Sequence, residues 1–278
     1  MQLPSDLIVA LREFNLTGAP VPLPGGSASV YRSGDWVLKK IRATSLENQR
    51  SPELAAWIAA FSETCQQDGF RLPAQRKTRR GDWITEDGWI ATHFLPGRTA
   101  EAADIPACID AIQAMHHSLR SIPAHEAMRA NPTAWGFAQA HCWGEKPVRL
   151  QTELSGLVNE LYRLRQSVQT APFQLIHGDL NPGNILIDPM LPPAFLDFSP
   201  FWGPPEFALA IFANFIGPRR GDRSVLRFFE EIPDFDQLLI RASVRMLLVV
   251  SALDGLEGWQ ESEEKWAAEC VIAYVQGR

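Results

Sequence analysis

The chain has 278 residues, 46% of them hydrophobic and 21% charged, enough apolar material for one or two domains with a sizeable core. Its formal net charge of −6 gives no footprint for nucleic acid, and the most apolar runs, Phe207–Gly217 and Leu238–Leu253, are short or carry Arg241 and Arg245, which argues against a membrane span. Cys65, Cys108, Cys142 and Cys270 lie far apart without metal-ligand spacing, and the first residues lack a basic, apolar leader pattern; the expectation is a cytoplasmic protein with reduced thiols.

The first third alternates short β-like runs with turn signals. Gly25-Gly26-Ser27-Ala28-Ser29 stands ahead of a strand, where glycines allow the backbone to approach an anion closely, with a plain turn as the equal alternative. Val30–Tyr31 and Trp36–Ile41 flank Ser33-Gly34-Asp35 and predict a hairpin. Side chains alternate along the second of these strands, so Lys39 shares a face with Val37 and Lys40 points the other way, into solvent. Ser51-Pro52-Glu53 opens a helix running to about Gln66, with Ser51 as N-cap and Pro52 in the first turn. Leu72–Thr78, Trp83–Thr85 and Gly88–Phe94 then read as strands separated by Gly-Asp and Asp-Gly turns. The basic residues Arg71, Arg76, Lys77, Arg79 and Arg80 read as a solvated hairpin.

Past Leu95-Pro96-Gly97 the pattern becomes helical. Ile105–Leu119, Pro147–Val168, Pro205–Ile216, Arg223–Glu231, Asp236–Leu253 and Glu261–Val275 carry helical periodicity, interrupted by one β-like island over Phe173–Phe198. The fold class expected is α+β: a small antiparallel-sheet lobe over residues 1–95 and a larger, mainly helical lobe over residues 96–278. Ligands commonly bind at the seam of such an architecture.

The chemistry is concentrated in Leu175-Ile-His-Gly-Asp-Leu-Asn-Pro-Gly-Asn-Ile-Leu-Ile-Asp188, where an apolar run enters, a polar loop intervenes and a second apolar run leaves. A further acid, Asp197, stands in Ala194-Phe-Leu-Asp-Phe198. Carboxylates at buried strand ends need a compensating charge. A divalent cation held by Asn184 and Asp197 would supply it, because Mg²⁺ prefers oxygen ligands and substrate phosphates.

These residues resemble a known family. Asp179-Leu180-x-x-x-Asn184 is similar to the catalytic loop of protein kinases, with Gly178 in the place of their arginine. His-Gly-Asp-Leu-x-Pro-Gly-Asn is the form typical of the aminoglycoside phosphotransferase and choline-kinase-like superfamily. The resemblance implies a protein-kinase-like two-lobed fold, ATP and Mg²⁺ as cofactors, and transfer of the γ-phosphate to a hydroxyl of a small molecule. It casts Asp179 as catalytic base, His177 as a brace of the loop, and Asn184 and Asp197 as metal ligands. Gly25, Gly26, Ser27 and Ser29 would cradle phosphates, and Lys39, favoured over Lys40, would draw charge from them. Glu53 is the expected partner of that lysine, with Glu47 as an alternative. Thr92-His93-Phe94 falls where the superfamily hydrogen-bonds adenine through the backbone. Met115-His116-His117 resembles the family's Leu-His pair, with packing as its default role.

Two departures from the family stand out. Ala208 falls where an acid often braces the catalytic loop, with Glu206 nearby, and Ser199-Pro200 follows Asp197-Phe198 where a glycine is common. Proline cannot donate a hydrogen bond and fixes φ, so a rigid segment is expected here. A catalytically weak nucleotide-binding module is the rival reading that these departures keep open, and transfer of a nucleotidyl group is a third. Residues 224–278 hold ten acids and five basic residues, which suits a cationic, amine-bearing acceptor, although a solvated acidic surface explains the balance equally. Trp135, Trp143, Trp202 and Trp259 are pocket candidates on the same terms. The lack of a kinase-type Ala-Pro-Glu segment after Asp197 argues against a protein substrate.

Overall fold

The structure is a computed structural model that describes residues 3–23, 30–41, 52–126, 133–144, 148, 150, 154–252 and 261–278. Two compact units divide the chain, one of Met1–Gln66 with Leu72–Pro96, the other of Gln67–Arg71 with Gly97–Arg278.

The first unit is built on an antiparallel sheet of β1 (Val21–Pro22), β2 (Val30–Ser33), β3 (Trp36–Lys40) and β4 (Trp89–His93), in that order across the sheet. The hairpin register sets Val30 opposite Lys39 and Ser33 opposite Trp36, and β3 in turn sets Lys39 opposite Ile90. Helix α1 (Ser5–Glu13) covers one face. Its Leu7, Ala10 and Leu11, with Phe14 just beyond, recur at helical spacing and pack on Leu38, Trp89 and Ala91. Helix α2 (Pro52–Thr64) follows the expected course; its proposed cap, Ser51, lies outside the described residues.

The strands expected over Leu72–Thr78 and Trp83–Thr85 do not form. Leu72–Thr78 meets the sheet at an isolated bridge between Gln75 and Thr92, and Thr85 N–H donates to the Trp89 carbonyl at 2.9 Å. The Gly-Asp and Asp-Gly signals close consecutive tight turns instead, with Gly88 N–H donating to the Thr85 carbonyl at 2.9 Å. Chain reversal at such short intervals leaves no run long enough to pair.

In the second unit, β5 (Arg98–Thr99), β7 (Ile185–Ile187) and β8 (Ala194–Phe195) form one small antiparallel sheet, while β6 (Gln174–His177) and β9 (Pro200–Gly203) form a separate pair. Helices α3 (Ile105–Leu119) and α6 (Pro205–Ile216) match their sequence-derived bounds residue for residue. Helix α4 (Ala134–Cys142) is capped by the Thr133 hydroxyl, which accepts from Gly136 N–H at 3.1 Å; no element is read there from the sequence, because Gly136 lies inside it. Helix α5 (Ser155–Leu164) stops before the expected Val168 because Arg165 turns to extended backbone. The segment expected as a helix over Arg223–Glu231 is a 3₁₀ turn, Ser224–Phe229.

The core of this unit is α7 (Phe235–Ala252), buried all round from Gln237 to Val250 and packed against α4, α5, α6 and α8 (Glu261–Gln276). Among the described residues, no helix is long and apolar enough to cross a membrane.

Candidate active site

The loop between β6 and β7 is held by hydrogen bonds at both of its ends. His177 ends β6, fully buried, and its ring receives the backbone N–H of Asp179 on Nδ1 at 3.2 Å. The proton is then on Nε2, which donates to the Leu196 carbonyl at 3.2 Å. One neutral imidazole thus ties the start of the loop to the residue preceding Asp197. Gly178 N–H donates to Ser199 O at 2.8 Å, and Leu196 N–H donates to Asn184 O at 2.8 Å.

Asparagine amides orient the Asp179 carboxylate. Asn184 Nδ2 donates to Oδ2 at 2.9 Å and to the Asp179 carbonyl at 3.1 Å, and Asn181 Nδ2 donates to Oδ1 at 3.1 Å. Asn184 sits in a 3₁₀ turn, Pro182–Asn184, that returns the chain so quickly that residues five apart can touch. Asn181 was not singled out in the sequence, although its place inside the Asp179–Asn184 loop is a signal available there.

Asp197 takes a left-handed φ of 49°, which aspartate tolerates better than most residues. Its carbonyl accepts from the Ser199 hydroxyl at 3.1 Å. The backbone then enters β9, where Pro200 pairs with His177 and Phe201 with Ile176. The segment is a strand paired with β6, whereas the β-island was expected to end at Phe198. Proline in the run conceals a strand from pattern reading, and here it is tolerated because β9 has one neighbour only. The pairing presses the Phe201 ring onto Gly178: a Cβ there would stand 2.0 Å from Phe201 Cδ2, so only glycine fits where protein kinases carry arginine.

No acid braces the loop from the start of α6. Ala208 is fully buried. Among the described residues Glu206 makes no hydrogen bond to the loop, and it lines a cavity of about 270 Å³ with His116, His117 and Gln174. The brace comes from α3 instead, where His116 Nε2 accepts the backbone N–H of His177 at 3.1 Å.

In the first unit the two candidate lysines separate by face. Lys40 shares its face with Leu38, and its ammonium pairs with the Asp6 carboxylate on α1, which also accepts Trp89 Nε1–H at 3.1 Å. Lys40 is therefore not the solvent-facing residue the sequence suggests. Lys39 lies on the opposite face of β3 with Val37. Glu53 is exposed in the first turn of α2. The N–H groups of His93 and Phe94 are engaged inside the unit, with Ala74 O and Asp35 O at 2.7 Å each, so base recognition by Thr92-His93-Phe94 would use other backbone groups. The His93 ring packs edge-on against Trp36. Gly25, Gly26, Ser27, Ser29 and Glu47 lie outside the described residues.

Residues 21–239 match the family described as phosphotransferase enzyme family, a stretch that contains the whole loop from His177 to Asp197. The chain belongs to this family. The phosphotransferase also shares its kinase-like fold with solved structures of low identity. Choline kinase LicA from Streptococcus pneumoniae aligns with TM-score 0.64 at 11% identity over 98% of this chain and 99% of that one. A thermostable mutant of aminoglycoside phosphotransferase APH(4)-Ia, in complex with AMP-PNP and hygromycin B, aligns with TM-score 0.62 at 15% identity over 99% and 98%. Amicoumacin kinase hAmiN, in complex with AMP-PNP, Ca²⁺ and Ami, aligns with TM-score 0.61 at 14% identity over 99% and 94%. No curated protein sequence matches significantly.

Proposed function

We propose that this phosphotransferase moves the γ-phosphoryl group of ATP to a hydroxyl of a small molecule, with Asp179 as the base. The observation that carries the reading is the two-sided amide clamp on Asp179, with hydrogen bonds of 2.9 and 3.1 Å from Asn184 and Asn181 to its two oxygens. A carboxylate held this way presents a fixed direction to an incoming hydroxyl, and positioning is most of what phosphoryl transfer asks of a protein. The acceptor oxygen forms a bond to the γ-phosphorus as the bond to the β-phosphate oxygen of ATP breaks, ADP leaves, and the hydroxyl proton passes to Asp179.

The donor set fits a hard divalent cation such as Mg²⁺. Because Asn184 spends its nitrogen on Asp179, Oδ1 is the atom it has for a metal, and Asp197 adds a carboxylate from a backbone conformation that aspartate and asparagine tolerate best. Asn184 and Asp197 would hold the ion, which when bound neutralises charge on the nucleotide phosphates. His177 keeps the loop and the Asp197 turn in register, and Lys39 of β3 draws charge from the phosphates. Glu53 is the proposed partner of Lys39, and Thr92-His93-Phe94 the proposed neighbourhood of the base.

The test is Mg²⁺-dependent ATP consumption across a panel of hydroxylated metabolites, with the product identified by mass as gaining one phosphoryl group. Asp179→Asn should bind Mg·ATP as the wild type does while turnover falls about 10²–10⁴-fold, the range for loss of a general base. Mg·ATP binding without turnover on any acceptor would leave a nucleotide-binding module, and a product gaining a nucleotidyl group would reverse the assignment of the transferred group.

A further inference from the structure

We infer that the acceptor carries an anionic group, a carboxylate or a phosphate, which the guanidinium edge of Arg245 receives beside the Gly178–Asp179 loop. The inference rests on the phosphotransferase reading above and names the substrate class of that site.

Arg245 lies in the middle of α7 and is 0% exposed. Its guanidinium carbon stands 4.7 Å from the centre of the Trp135 ring and 4.7 Å from that of Phe201. Arginine meets aromatic rings through the face of its guanidinium, which leaves the edge, where the N–H groups point, for hydrogen bonds. Nε, Nη1 and Nη2 of Arg245 make no hydrogen bond among the described residues. Arginine presents these donors in a fork that matches carboxylate and phosphate oxygens two at a time. The stack has a defined address, because Phe201 is the ring pressed onto Gly178, the residue before Asp179.

The surroundings add positive charge. Arg241, one turn earlier on α7, donates to the carbonyls of Gln237 and Gln166 at 2.8 Å each and stacks on Trp143. Arg165 donates to the Gly144 carbonyl at 2.6 Å. Among the described residues, no carboxylate is hydrogen-bonded to any of the three. Burial pushes Arg245 down to about 10, with Cys142 and Asp179 acting in the opposite sense, and Arg241 is pushed to about 10 by burial and by Arg165. Both therefore stay charged at neutral pH.

A buried guanidinium whose N–H groups have no acceptor is costly even with the Asp179 carboxylate in its field, and an apolar side chain of similar length would fill the same space without that cost. An oxyanion on the acceptor supplies the missing hydrogen-bond acceptors and, at the same time, sets the acceptor at a fixed distance from Asp179. Of the two stacking rings only that of Trp135 belongs to a partly exposed residue, so a ligand would approach from its side. The same field repels an ammonium group. The acidic balance of residues 224–278 is then a property of the protein surface, and the cationic acceptor gives way to an anionic one.

The test compares wild type, Arg245→Met and Arg245→Lys by thermal melting, each alone and with glycerate, glycerol phosphate, glycerol or choline as probe, and with Mg·ATP measured in parallel. The wild type should be stabilised by an anionic probe and not by glycerol or choline; glycerate alone points to a carboxylate, glycerol phosphate alone to a phosphate. Arg245→Met should melt higher than wild type without ligand and lose the response to the anion, while Arg245→Lys keeps part of it. The inference fails if no anionic probe stabilises the wild type, if choline or glycerol does so instead, or if Arg245→Met melts lower, does not fold, or keeps the anion response. Mg·ATP binding with turnover on a neutral or cationic alcohol would leave the phosphotransferase reading standing and remove Arg245 alone; anion binding through Arg245 without any use of ATP would do the reverse.

Discussion

His116 and His177 are joined by a buried hydrogen bond in which the backbone N–H of His177 donates to Nε2 of His116 at 3.1 Å. The other ring nitrogen of His116 donates to the Ile112 carbonyl at 2.8 Å, so the imidazole is neutral and locked in one tautomer. A histidine on α3 thereby holds the strand that leads into the loop carrying Asp179.

This pair has a pH signature. Burial pushes His116 down to about 3, against about 6.5 for an unfolded histidine. The folded pKa is depressed, so the unfolded chain takes up the proton first as pH falls. Stability present above about pH 6.5 is lost progressively towards pH 3, by several kcal/mol at most. Urea denaturation across that window should show the slope in wild type and a flatter profile in His116→Gln, whose side-chain oxygen can accept the same N–H. At pH 8, His116→Leu should cost about 1–3 kcal/mol because the buried donor loses its partner. A profile equally steep in His116→Gln would assign the slope to another group.

Gly178 is the tightest contact in the loop. Gly178→Ala should destabilise by about 1–3 kcal/mol, as overpacking does, and displace the loop carrying Asp179. Phe201→Leu in the same chain removes the ring that the new methyl meets, and should recover part of the loss in a double-mutant cycle. Additive effects of the two changes would mean that the contact is not the cause.

The two lysines of β3 should part in function. Lys39→Met is expected to depress kcat/KM for Mg·ATP by about 10² or more while leaving the melting temperature near that of the wild type. Lys40→Met should leave turnover largely intact. Asp6→Ala should lower stability by about 1–2 kcal/mol, chiefly because the buried Trp89 Nε1–H loses its acceptor. Equal losses of activity in the Lys39 and Lys40 variants would remove the distinction between the two faces of the strand.

Glu264 on α8 carries a cost at neutral pH. It is 1% exposed, and burial raises its carboxyl to about 7 although Arg219 Nε lies 3.0 Å away, because that N–H points to Glu263 Oε2 at 3.1 Å. The folded pKa lies above the unfolded carboxylate value, so the folded chain holds the extra proton between the two. Stability should fall as pH rises from about 4.5 to about 7 and level off beyond. Glu264→Gln should abolish that fall and melt higher than wild type at pH 8. A pH profile unchanged by the substitution would refute it.

Much of the architecture is written locally. Helices α3 and α6 follow from apolar periodicity bounded by Pro106 and Pro205 near their starts, and the loop from His177 to Asn184 is a compact motif whose residues touch because a 3₁₀ turn folds them back within five positions. Alternation along β3 separates Lys39 from Lys40 without reference to the rest of the molecule, although that Lys40 is held by Asp6 depends on a helix near the start of the chain. The expected strand over Trp83–Thr85 fails for a local reason as well: its turn signals outweigh its β-propensity, and pattern reading gave them the wrong order of importance.

The sequence by itself determined the family, the compact His177–Asn184 motif and most of the helices, because each is encoded by residues a few positions apart, where spacing and backbone preference act directly. Tertiary structure decided what lies around that motif. Pro200 forms a strand only because β6 is there to pair with it, Gly178 is indispensable only because Phe201 lands on it, and Arg245 becomes a buried guanidinium without hydrogen bonds among the described residues only when Trp135 and Phe201 close over it. Those residues are tens of positions apart, and the cost of removing a charge from water depends on what surrounds it in space, which no local pattern records.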